Sequence, residues 1–229
     1  MNIKSILCSL AITSVALTQV SADTVTIDQN TSIYSVGSGG AFKATPVSGT
    51  ISNADYASVA TQGGISFLTF CLEENEFFSP GSTYSYALNY GAVNGGVSGQ
   101  DATNYDSVSN ATAYLYSEFA KGTLGNGFTY DLNALTGYGA LQQAIWFLEG
   151  EVFTSNSFVS YAQGITGLSW NAASNGSYGV YALNLRGSRG GVAQDQLYYS
   201  TNAHVPDGGM TLALLGLGLL GLAIAKRRA

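Results

Sequence analysis

Two short stretches hold residue types suited to covalent chemistry: Phe70-Cys71-Leu72-Glu73 and Leu141-Gln142-Gln143-Ala144-Ile145-Trp146. The chain has 2 cysteines, and Cys8 falls in a leader expected to be removed on export. Cys71 is then the remaining thiol. No intramolecular disulfide can form, and an odd cysteine outside the cell asks for an explanation. Three explanations are open. Cys71 is a small buried hydrophobe, as free cysteines commonly are; or it forms an intermolecular disulfide, which burial opposes; or its sulfur attacks a glutamine carboxamide, expelling ammonia to leave an internal thioester. That last reaction needs a positioned, partly deprotonated sulfur. It also needs a carboxamide held at near-attack distance and a wall that keeps water out. Gln142 is the expected partner, and Phe70, Tyr138 and Trp146 are the expected wall.

These residues need a strand and a helix to position them. Residues 64–72 read as a central, buried strand. Ile65, Phe67, Thr69 and Cys71 share one face, Leu68, Phe70 and Leu72 the other, and both are largely apolar. Residues 134–148 read as a helix whose apolar stripe carries Leu135, Tyr138, Leu141, Gln142, Ile145 and Leu148. Gln143 is turned about 100° away. Other strands are expected at 24–27, 33–36, 83–90, 178–185 and 192–199, and other helices at 108–122 and 157–163. Gly37 to Gly40 and Pro46 to Gly49 read as breakers, and 91–104 as a Gly/Asn/Ser loop. The expected fold is α+β: a β-rich barrel or sandwich with a small helical subdomain.

Charged residues make up only 10% of the chain, while Gly (29) and Tyr (15) are abundant, a balance that favours a folded, β-rich exported protein. Between residues 23 and 207 stand 4 basic and 14 acidic side chains, a net charge of −10. With no basic patch, nucleic acid is excluded as a partner. One His, one mature Cys and no Asp-x-Asp-x-Asp loop give no expectation of a metal or other cofactor. A hydrolase would want a His base, and the sole candidate, His204, lies in a polar spacer, so no enzyme is expected. Glu73, Glu74, Glu76, Glu149 and Glu151 are expected to form a solvated acidic rim.

The ends are of a different character. Residues 1–22 read as a signal peptide, with Lys4 in the n-region, an apolar Ile6 to Leu17 core and a Val20-Ser21-Ala22 cleavage site. The domain expected at 23–200 is followed by a spacer and Val205-Pro206-Asp207-Gly208-Gly209 (201–209), an apolar run at 210–225 and a basic tail at 226–229. At about 1.5 Å per residue the run spans roughly 24 Å, slightly short of a hydrocarbon core of about 30 Å. The basic cluster would hold the C-terminus in the cytoplasm. The motif, helix and Arg-rich end together resemble the PEP-CTERM class of sorting signals in its Val-Pro-Asp-Gly-Gly form. That resemblance implies an inner-membrane precursor, recognition by an exosortase, cleavage near Pro206, and a destination at the surface or in the extracellular polysaccharide of a Gram-negative bacterium.

The two chemical stretches, with Pro80-Gly81 and Tyr84 between them, resemble the bacterial surface thioester domains of the Thr-Gln-x-Ala type over residues 64 to 150. The sequence departs from that pattern at Leu141, where Thr is usual. The resemblance implies a thioester-domain-like fold, a Cys71–Gln142 thioester and covalent adhesion or cross-linking through surface amines. The alternative is a noncovalent structural or glycan-binding protein of a biofilm matrix, with Cys71 in the core; a weaker third is a cysteine hydrolase.

Overall fold

A computed structural model describes residues 22–29, 35–36, 39–49, 51, 66–93, 96–97, 105–128 and 135–200. The signal peptide, the sorting motif (Val205 to Gly209), the 210–225 helix and the basic tail expected from the sequence lie outside these residues, Ala22 excepted. Among the described residues no helix is long and apolar enough to cross a membrane.

The main sheet has six strands in the order β10-β9-β6-β1-β4-β5, all antiparallel neighbours. The strands are β1 (Thr24–Asp28), β4 (Phe42–Ser48), β5 (Phe67–Thr69), β6 (Ser82–Asn89), β9 (Val180–Arg186) and β10 (Val192–Tyr199). Two short ribbons accompany them: β2 (Ser35–Val36) with β3 (Gly39–Gly40), and β7 (Gly91–Val93) with β8 (Tyr105–Ser107). The sheet curls into a half-barrel, and its two outer strands meet. Leu197 N–H donates to Phe70 O at 3.0 Å and Leu72 N–H to Asp195 O at 3.1 Å, which brings Cys71 opposite Gln196.

Three helices cover one side: α1 (Asn110–Lys121), α2 (Leu135–Leu148) and α3 (Ser157–Thr166). Ser109 caps α1 by accepting from Thr112 N–H, and Gly122, at φ 77°, ends it in the left-handed conformation that glycine tolerates. Asn156 caps α3 from Phe158 and Val159 N–H.

The alternation of residues 67–72 divides the molecule into two cores. Phe67 and Cys71 face the inside of the curl with Val25, Ile27, Phe42, Leu183, Tyr198 and Trp146. Leu68, Phe70 and Leu72 face the helices with Leu115, Phe119, Leu141 and Ile145. Of the strand expected over 64–72, the described residues 66–72 are regular over 67–69, and this strand lies at the end of the strand order and not at its centre. It is nonetheless fully buried, because β10 covers its far edge and the helices its outer face. Pro46, expected as a breaker, sits inside β4. There β4 pairs with β1 at Val25, while its pairing with β5 stops at Ala44, so the ring blocks no ladder bond on the β5 side.

Candidate functional site

Cys71 and Gln142 meet. Cys71 N–H donates to Gln142 Oε1 at 2.9 Å, and Gln142 Nε2 donates to Cys71 O at 2.8 Å. The carboxamide thus behaves like the peptide group of a neighbouring strand. Beyond Thr69 the β4 ladder has ended, and Gln142 supplies the pairing that Cys71 lacks on that edge. Gln142 is 1% exposed and Cys71 0%. The side chain is placed from α2, and the α2 face that carries it packs on β3. Gly39 is the close approach: a Cβ there would strike the Trp146 ring and come within 2.9 Å of Gln142 Cγ.

The thiol itself has other partners. Gln196 Nε2 donates to Cys71 Sγ at 3.4 Å. Burial, with a smaller push from Glu73, drives the thiol well above its usual range, against hydrogen bonds from Gln196 and Gln194 that lower it. Burial therefore disfavours the partly deprotonated sulfur that thioester formation needs, and the two glutamine donors offset the desolvation of a thiolate only in part. The expected wall also divides. Trp146 lies in the same core as Cys71, whereas Phe70 and Tyr138 lie in the helix-side core, where both pack on Phe119.

The sequence places Gln194 and Gln196 only in the strand expected at 192–199, with no role at the site. The available signal was polar residues inside the strand at Gln194-Asp195-Gln196, and only the meeting of β10 with Cys71 makes them informative. β10 bulges between Ala193 and Gln196. Asp195 fills the opening: Oδ1 accepts from Leu185 N–H at 3.0 Å, and Oδ2 from Asn184 Nδ2 at 2.8 Å and from Val93 N–H at 2.5 Å. Burial still raises Asp195 to about 7, against those three donors.

The solvated acidic rim is corrected as well. Glu73 is 1% exposed and Glu151 3%, Glu76 and Glu149 are half-buried, and only Glu74 is exposed. Glu151 is engaged by Glu74 N–H at 3.0 Å and Val97 N–H at 2.8 Å. Glu73 has no donor on either carboxylate oxygen among the described residues. Burial first, then the charges of Asp195 and Glu76, raise it to about 10. Glu73 went inward because the segment after Cys71 runs against β10, with Leu72 bonded to Asp195 O and Glu73 O accepting from Gln194 Nε2.

The profile of the VPDSG-CTERM motif matches residues 204–229. This chain has Gly208 where the motif's name has Ser. The match supports a PEP-CTERM-type sorting tail, and with it an exported protein made as a membrane-anchored precursor. No curated protein and no solved structure matches the chain. The resemblance of the domain to the surface thioester domains therefore rests on the residues quoted for it.

Proposed function

We propose that this is a non-enzymatic surface or matrix protein, delivered through an exosortase, whose domain presents an internal acyl group formed between Cys71 and Gln142. The observation that carries the reading is the two-way hydrogen bonding of the Gln142 carboxamide with Cys71, 71 residues away in sequence. The carbonyl to be attacked accepts an N–H from the same residue whose sulfur would attack. That N–H is a donor for the oxygen as it takes on negative charge. In the reaction the Sγ–Cδ bond forms, the Cδ–Nε2 bond breaks, and ammonia leaves with the thiol proton. A surface amine then takes the acyl group as an amide and returns the thiol. Complete burial of both partners supports protection of such a bond from water.

A noncovalent reading is favoured by a separate observation, the Gln196 contact on a neutral Sγ. In it Gln142 is a permanent strut, and the protein acts through its surface on extracellular polysaccharide. The intact mass of the exported chain, purified without reductant or amine buffers, separates the two. A deficit of about 17 Da, one ammonia, that is absent in Cys71→Ala is expected from the thioester. Methylamine should then free a thiol and label Gln142. A full mass with one thiol titratable on unfolding would overturn the covalent reading.

A further inference from the structure

We propose that Glu73, Glu76 and Asp195 form a binding site for a divalent cation that prefers oxygen ligands, Ca²⁺ foremost. One oxygen from each lies within 4.8 Å of the other two. That span suits a single ion with Ca–O distances of about 2.3–2.6 Å. Mutual proximity of acids would not be enough on its own. The second observation is Glu73: it is 1% exposed, and neither of its oxygens has a donor among the described residues. Glu76 Oε2 is likewise buried without a donor. None of the three carboxylates is ion-paired to a described Lys or Arg. Native interiors rarely leave both oxygens of a carboxylate unanswered.

The donor set fixes the class of ion. Three carboxylates with no imidazole or thiolate suit a hard cation. Asp195 Oδ1 receives one hydrogen bond, from Leu185, and keeps a further lone pair for a ligand bond. Glu76 is half-buried, which leaves a side of the site open to water ligands and to entry. Ca²⁺ accepts such an irregular, partly hydrated shell, whereas Mg²⁺ demands a near-ideal octahedron. Binding would fasten the segment after Cys71 to β10 through Glu73, Glu76 and Asp195.

The test is equilibrium dialysis of the full chain against radioactive calcium, paired with thermal melts in calcium chloride or EDTA. One Ca²⁺ per chain is expected, with a Kd of about 10⁻⁴–10⁻³ M, the range of extracellular modules. At tenfold saturation the melting temperature should rise by about 3–6 °C. Glu73→Gln should abolish both effects. Glu76→Gln, at a half-buried loop position that threatens folding least, should weaken binding by at least about tenfold. Asp195→Asn is a poor probe, because that carboxylate also holds the bulge. Absence of saturable Ca²⁺ or Mg²⁺ binding to the native chain up to about 10 mM, well above that Kd range, would overturn the site. So would binding that survives in folded Glu73→Gln and Glu76→Gln.

Discussion

Cys71 has main-chain partners on both sides, a strand on one and a side chain on the other. Its neighbours Phe70 and Leu72 bond to β10, while its own N–H and C=O go to Gln142. Gln142→Ala therefore strands two buried main-chain groups at once. With about 1–3 kcal/mol for each orphaned group, a loss of about 2–6 kcal/mol is expected, read as a lower urea midpoint with unchanged slope. Cys71→Ala removes a sulfur that orphans no main-chain group and should lose less. Gln142 was legible from its place on an apolar helical stripe, where a carboxamide has to find a partner. Gln196 and the inward turn of Glu73 were not, because both depend on β10 meeting a strand more than 120 residues earlier in the chain, and no local pattern encodes that meeting.

The helices and most strands follow from period and caps; the exceptions are set by pairing. β4 was hidden by Pro46, which β1 tolerates on one side and β5 never reaches on the other. β3 was hidden by Gly39 and Gly40, and Gly39 is there for closeness: its backbone lies against the Trp146 ring and Gln142 Cγ. Gly39→Ala must push a buried indole aside. Overpacking of this kind costs about 1–3 kcal/mol, and the tryptophan emission of the folded protein should shift along with the loss of stability. The end of α2 carries a second test. Glu149 accepts from Ser109 N–H, the N-cap of α1, at 3.2 Å. Burial raises it to about 7, against hydrogen bonds from Thr112 and Ser109 and with a push from Asp106 on β8. The folded state thus holds a proton that the unfolded state has released, between the unfolded value of 4.5 and about 7. Stability from this group is present at the acid end of that window and falls as pH rises through it. Relative to wild type, Glu149→Gln should gain about 1–2 kcal/mol between pH 5 and pH 8, a figure reduced for the side chain's partial exposure, measured by urea unfolding at both.

At the scale of the molecule, the first and last described residues of the domain are held by main-chain bonds. Asp23 O accepts from Tyr86 N–H at 3.0 Å, so the residue after the expected signal cleavage is already held. β1 then runs between β4 and β6 in the middle of the strand order. At the other end Ser200 N–H donates to Gly179 O at 2.9 Å, and the sorting tail follows. β10 does more than end the domain. It pairs with β9 along its length, closes against Phe70 and Leu72, and places Asp195 and Gln196 beside Glu73 and Cys71. A cut near Pro206 falls beyond all of these contacts, whereas a cut before Val192 removes them together with the buried side chains of Leu197, Tyr198 and Tyr199. Chains ending at 205 and at 191 should therefore behave oppositely. The first should match the melting curve of the full chain and keep its calcium response. The second should show no cooperative melt, since the inner edge of β5 and the outer edge of β9 are both left open and both cores lose a wall. If the 191 chain melted cooperatively, β10 would be a strap on a domain that folds without it, and Cys71 would be the site it guards instead of one it helps to build.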